Sequence, residues 1–134
     1  MKKIAEVDFE TDKIEDRPVY PPVQVGVAII KDGKKRYYAW GHPCENNCTK
    51  AEAKKVLKDV FKNYTVIFHN ASFDIEVAMK HFGLPFPKDF HCTLILAYLH
   101  DPRDEELSLK PLADKYLDMP PDEQLRLKDW ILAN

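Results

Sequence analysis

The sequence predicts an α/β fold built on a mixed sheet, in which three antiparallel strands come first and parallel strands alternating with helices come after. Three observations carry that expectation. Residues 5–10 alternate apolar and acidic side chains, the two-residue period of a strand with two unlike faces. A turn signal at Asp32-Gly33 joins two strand-like runs, as in an antiparallel hairpin. After Cys48 the period lengthens to that of an amphipathic helix, and next comes a short, almost wholly apolar run, the pattern of a buried parallel strand behind its crossover helix.

In chain order, Ala5, Val7 and Phe9 against Glu6, Asp8 and Glu10 define the first strand. Residues 12–22 (DKIEDRPVYPP) hold three of the ten prolines and read as a loop. Val23 to Ile30 and Lys35 to Trp40 form the hairpin, and Gly41 to Cys48 a polar loop. Thr49 and Glu52 have the spacing of a capping box ahead of Ala53, Val56, Leu57 and Val60, which lie on one helix face. Tyr64 to Phe68 is the parallel strand. Asn70 is placed to cap a second helix with a buried stripe of Ile75, Ala78, Met79 and Phe82, closed by Gly83. Phe90 and His91 suggest a brief strand, and Thr93 to His100 a buried helix stopped before Pro102. Ser108 caps a helix carrying Leu109, Leu112, Ala113 and Tyr116, with Pro111 tolerated in its first turn. Pro120-Pro121 breaks the chain before a last helical segment with Leu125, Trp130 and Ile131.

The chain has 134 residues, 45% hydrophobic and 31% charged, with 20 basic against 22 acidic side chains. That length buries a core without disulfide or metal support, and residues 1–134 read as a single domain. No run of about 18 apolar residues exists, and the acidic amino terminus is no signal peptide, so a cytoplasmic protein without a membrane partner is expected. Cys44, Cys48 and Cys92 are an odd set without a disulfide framework, which points to reduced thiols. A net charge of −2 argues against a protein that holds polyanions by bulk charge. It does not argue against a nucleic-acid partner met at a metal site, because such a site is itself acidic.

Side chains two apart on a strand share a face, so Asp8 and Glu10 project together with Cα atoms roughly 7 Å apart. Asp74 falls in the first turn of the helix after the parallel strand. If that strand neighbours the first, the three carboxylates meet at the carboxyl edge of the sheet, a usual place for a site. Oxygen ligands without cysteine or histidine favour Mg²⁺ or Mn²⁺ over zinc, and paired ions of this kind serve phosphoryl displacement. Taken singly, each acid is ordinary: a solvated strand residue, or for Asp74 a charge matching the helix dipole.

At these residues the sequence resembles the DnaQ-like (DEDD) 3′→5′ exonucleases. Val7-Asp8-Phe9-Glu10-Thr11 is similar to their first motif, Asp-x-Glu, and His69-Asn70-Ala71-Ser72-Phe73-Asp74 to their second. The segments from Thr93 to Pro102 and from Ser108 to Ala113 resemble the region after the second motif in the proofreading domain of family A DNA polymerases. The likeness runs from residue 3 to about residue 132. It implies a ribonuclease H-like fold and removal of nucleotides from a 3′ end with two Mg²⁺ or Mn²⁺ ions. By position, Asp8 would bridge both metals, Glu10 would bind the nucleophile-side metal, and Asp74 would hold the other, partly through water. Thr11 and Ile14 would contact the terminal nucleotide, and His69 and Asn70 would orient its sugar and phosphate.

Two departures accompany the likeness. The third motif, an aspartate with a tyrosine four residues or a histidine five residues before it, does not occur after Trp130, so the domain is expected to continue past residue 134. Cys92 stands where the family usually has Asp before Thr-Leu, which alters local hydrogen bonding rather than the metal set. The expected partner is a single-stranded DNA 3′ end, with RNA as the alternative in the manner of ribonuclease D, and a linked or associated polymerase domain. The reading from a different class is a non-catalytic module that binds nucleic acid or a polymerase.

The remaining signals read as ordinary. His42, Cys44 and Cys48 lack the second pair of a zinc site, and the apolar neighbours of Cys92 make it a buried inert thiol. Lys31, Lys34, Lys35 and Arg36 suit a solvated turn, and Tyr37, Tyr38 and Trp40 suit strand packing better than base stacking.

Overall fold

The alternation at residues 5–10 becomes strand β1 (Ile4–Thr11) in the computed structural model, which describes residues 3–11, 24–119, 130, 132 and 133. The hairpin is β2 (Gln24–Lys31) and β3 (Lys34–Ala39), turning at Asp32 and Gly33, both with positive φ. The capping box opens α1 (Lys50–Asn63), after which come β4 (Thr65–Phe68), α2 (Ala71–Phe82), β5 (Phe90–Cys92), α3 (Thr93–His100) and α4 (Leu109–Leu117). The expected loop at residues 12–22, the start of the hairpin at Val23, and Pro120, Pro121, Leu125 and Ile131 lie outside the described residues; Trp130, Leu132 and Ala133 are helical.

The sheet order is β3-β2-β1-β4-β5, antiparallel between β1, β2 and β3 and parallel between β1, β4 and β5. This is the mixed sheet the patterning predicts. The chain divides into two compact units, Met1–Thr93 and Leu94–Asn134.

In the first unit Ala5, Val7 and Phe9 of β1, Val27 and Ile29 of β2, and Val66 and Phe68 of β4 are buried, with Ala53, Leu57, Val60 and Phe61 of α1 and Ile75, Ala78 and Phe82 of α2. The Phe61 and Phe68 rings meet edge to face at 6.0 Å, and the Phe9 and Phe82 rings lie tilted at 6.2 Å, spacings at which aromatic pairs add to simple burial. Core packing on one face leaves the opposite face of β1 to its acids. Thr49 accepts from the Glu52 N–H at 3.2 Å while the Glu52 carboxylate accepts from the Thr49 N–H at 2.9 Å. Thr49→Ala is expected to cost about 1 kcal/mol; a shifted urea midpoint with unchanged slope measures it, and an unshifted midpoint rejects it.

Three local expectations differ. Met79 is 43% exposed while Val77 is buried, because α2 is turned to bring Asp74 inside. Asn70 adopts a left-handed conformation (φ 69°) and makes no side-chain cap. Its carbonyl already accepts the Phe73 N–H at 3.1 Å, and its side chain takes the Ser72 hydroxyl. Ser108 likewise makes no side-chain cap, and its N–H donates to Glu106 Oε1 at 3.1 Å.

In the second unit α3 buries none of its residues, and Ile95, Leu96, Tyr98 and Leu99 are each at least half exposed. The sequence predicts a buried helix here, and the structure leaves it exposed. Among the described residues of this unit only Leu112 is buried, too little apolar material to close a core around a helix. Lys115 donates to Asp104 at 2.8 Å, and the His100 and Tyr116 rings meet edge-on. Among the described residues no helix is long and apolar enough to cross a membrane.

Candidate active site

Strand parity puts Asp8 and Glu10 on the exposed face of β1 while Val7 and Phe9 are buried. Beside them the sheet splits. The parallel register of β1 with β4 runs Ile4–Thr65, Ala5–Val66 and Glu6–Ile67 and stops there, while β1 continues to Thr11. Past Glu6 the β4 side of β1 therefore needs another partner, since a buried N–H without one is costly. Asp74, in the first turn of α2, supplies it: its Oδ1 accepts the Phe9 N–H at 2.9 Å. One hydrogen bond thus ties the helix start to the strand residue between the two exposed acids.

Asp74 is 1% exposed. Burial, augmented by the charges of Asp8 and Glu10 and opposed by the Phe9 N–H, pushes its carboxyl up to about 7. The Asp8 and Glu10 residues are exposed overall, yet partial loss of water also raises both carboxyls. For Asp8 the nearby His69 works against that rise, and for Glu10 the charge of Asp8 adds to it. The three acids therefore sense one another. None of the ion pairs among the described residues takes any of them.

His69 is held through its Nδ1 by Thr93 Oγ1 at 2.9 Å, and the Thr93 hydroxyl reaches the Phe68 carbonyl at 3.2 Å. A carbonyl only accepts, so the single hydroxyl proton goes to Phe68 and Thr93 accepts the Nδ1–H. When neutral, His69 is then the Nδ1–H tautomer with an acceptor at Nε2. Cys92 is buried, and its Sγ accepts the Ala71 N–H at 3.3 Å. The thiol thus serves the first turn of α2 at the position where the resembled family has Asp.

Thr11 is half-buried at the end of β1, where the register with β2 shifts, and Asn70 is exposed before α2. Ile14 lies outside the described residues. Tyr37, assigned to strand packing from sequence, is 42% exposed on β3. Ala28 pairs with both Asp8 and Tyr37, which puts the phenol on the acidic face, and the charges of Glu10 and Asp8 help raise its pKa. Only a spacing within one strand was visible in the sequence; this row spans three.

Among the described residues no three His, Cys, Asp or Glu side chains converge into a preformed ion cage, His42, Cys44 and Cys48 included. Asp74 keeps one oxygen on the Phe9 N–H. The donors nevertheless suit Mg²⁺ or Mn²⁺, which take hard oxygens, keep several waters and use only one or two carboxylates each. A cation also offsets the repulsion and burial that raise the three acids.

The family model described as 3′-5′ exonuclease, of the DNA polymerase A type, matches residues 2–134. The DNA polymerase of Escherichia phage T5 is 34% identical over 119 residues, 84% of this chain and 13% of that protein. Among solved structures, Brucella melitensis NrnC bound to pGG is 25% identical with a TM-score of 0.66, covering 89% of this chain and 54% of the other. Escherichia coli RNase D, an exoribonuclease involved in structured RNA processing, shares the fold at 19% identity and a TM-score of 0.63, over 86% of this chain and 28% of its own. The chain therefore spans about half the length of NrnC and a small part of the polymerase.

Proposed function

The chain belongs to the 3′-5′ exonuclease family of the DNA polymerase A type, and from that premise we propose that it hydrolyses the 3′-terminal phosphodiester of single-stranded DNA, as a proofreading module does. The observation that carries the reading is the hydrogen bond from the Phe9 N–H to Asp74, which ties the buried acid to the strand residue between Asp8 and Glu10 where β1 outruns β4. Two Mg²⁺ or Mn²⁺ ions, when bound, would stabilise the attacking and leaving oxygens of an in-line displacement. Asp8 and Glu10 are the exposed ligands, and Asp74 the buried one, steadied by Phe9. His69, fixed by Thr93, faces the sugar and phosphate together with Asn70, while Thr11 and Ile14 contact the terminal nucleotide. A cytoplasmic setting suits that substrate, and a polymerase domain, linked or associated, is the proposed partner.

DNA is favoured over RNA because the T5 polymerase similarity covers 84% of the chain. Matched 5′-labelled DNA and RNA oligonucleotides, incubated with Mn²⁺, test the choice. Stepwise shortening of DNA from a free 3′ end, stopped by chelator, is expected. Faster shortening of RNA supports the ribonuclease D-like reading instead, and binding without shortening supports a non-catalytic module.

A further inference from the structure

We propose that Tyr37 is a substrate-contacting residue of this site, its hydroxyl donating a hydrogen bond to a phosphate oxygen of the terminal nucleotide. The inference rests on the exonuclease reading above and adds a residue that the acidic motifs do not contain.

Pairing across three strands sets Asp8, Ala28 and Tyr37 in one row, and Glu10, Gly26 and Ala39 in the next. Partners in register share a face, so the phenol rises from the face that carries the acids. It leans across the sheet into the Glu10 row. A Cβ built on Gly26 would overlap the Tyr37 hydroxyl and ring carbon, so the absence of a side chain at Gly26 is what lets the phenol lie there. Among the described residues the side-chain hydroxyl takes part in no hydrogen bond, while the backbone carbonyl of Tyr37 accepts from Asn47 Nδ2 at 2.7 Å. That bond, with Asn47 Oδ1 accepting the Ala39 N–H at 2.9 Å, holds the strand end from which the ring projects.

The chemistry suits a donor. A phenol keeps its proton on oxygen through the neutral range. A phosphate brought against three carboxylates needs donors facing it, and charge-assisted hydrogen bonds are the stronger kind. Tyr37 offers one at the edge of the acidic face, with only Ala28 and Gly26 between it and β1.

Tyr37→Phe in the full chain removes the donor and keeps the ring. Loss of a hydrogen bond to a charged group predicts about a tenfold to hundredfold fall. The fall is expected in the affinity for a fluorescein-labelled single-stranded oligonucleotide, read by anisotropy with Ca²⁺ in place of Mn²⁺, and in kcat/KM with Mn²⁺. Affinity for Mn²⁺ alone and the unfolding midpoint should stay within twofold and about 1 °C of the parent. Oligonucleotide affinity within twofold of the parent overturns the inference, as does a matching loss of Mn²⁺ affinity, which would mean that Tyr37 acts on the carboxylates. The binding arm decides at any turnover rate. Mn²⁺-dependent cleavage that survives Asp8→Ala with Glu10→Ala refutes the exonuclease site itself, a result distinct from a silent Tyr37→Phe.

Discussion

Asp8→Ala combined with Glu10→Ala is expected to abolish Mn²⁺-dependent shortening of single-stranded DNA, a loss on the order of a thousandfold or more, because transition-state charge would go unbalanced without the proposed metal ligands. Both residues are exposed and lie opposite the packed face of β1, so folding should be untouched. The carboxyls of Asp8 and Glu10, raised by partial loss of water, point the same way: removing acids that folding takes partly out of water leaves the unfolding midpoint unchanged or higher. The measurement is a time course on a 5′-labelled oligonucleotide, with circular dichroism as the control for folding. Equal rates for parent and double variant would remove this face of β1 from the chemistry.

The second large effect is on stability. Folding raises the Asp74 carboxyl from 3.8 to about 7, so the folded chain holds this proton more tightly than the unfolded chain. Asp74 therefore costs nothing below about pH 4. Stability then falls as pH rises through the interval to about 7 and levels off above it, the full loss being on the order of 4 kcal/mol. Asp74→Asn keeps an oxygen for the Phe9 N–H and cannot ionise. The variant should match the parent near pH 4 and exceed it by a few kcal/mol at pH 8, read from urea midpoints across that range. Mn²⁺ should raise the parent's midpoint more than the variant's at pH 8, since a ligand stabilises only the state that binds it. Parallel stability curves for the two proteins would contradict this account of Asp74.

An acid held at a cost is what a site for a cation requires. The same side chain that lowers apo stability above pH 7 closes the Phe9 N–H where β4 ends. Stability and proposed function pull against each other at one carboxyl, and the pH series separates them.

The local signals in the chain were sufficient for most elements. Asp32-Gly33 specified the hairpin turn, Thr49 with Glu52 the start of α1, and Gly83, with φ 61°, the end of α2. Where local reading fell short, a neighbour had already met the need. The Phe73 N–H is met by the Asn70 carbonyl and the Ala71 N–H by Cys92, two donors at the start of α2 that need no side-chain cap from Asn70. Helix α3, apolar by composition, lies largely exposed, because burial depends on what a helix packs against and not on its own hydropathy.

The sequence by itself determined that Asp8 and Glu10 share a face, because alternation is a property of any strand and needs no partner. It also determined the order of strands and helices, through caps and turns that act within a few residues. Only the tertiary structure decided that β1 outruns β4, that Asp74 fills the resulting gap, and that Tyr37 stands in the row of Asp8. Those features depend on pairings between residues 9 to 65 apart, and register is chosen by how whole faces pack rather than by any local pattern.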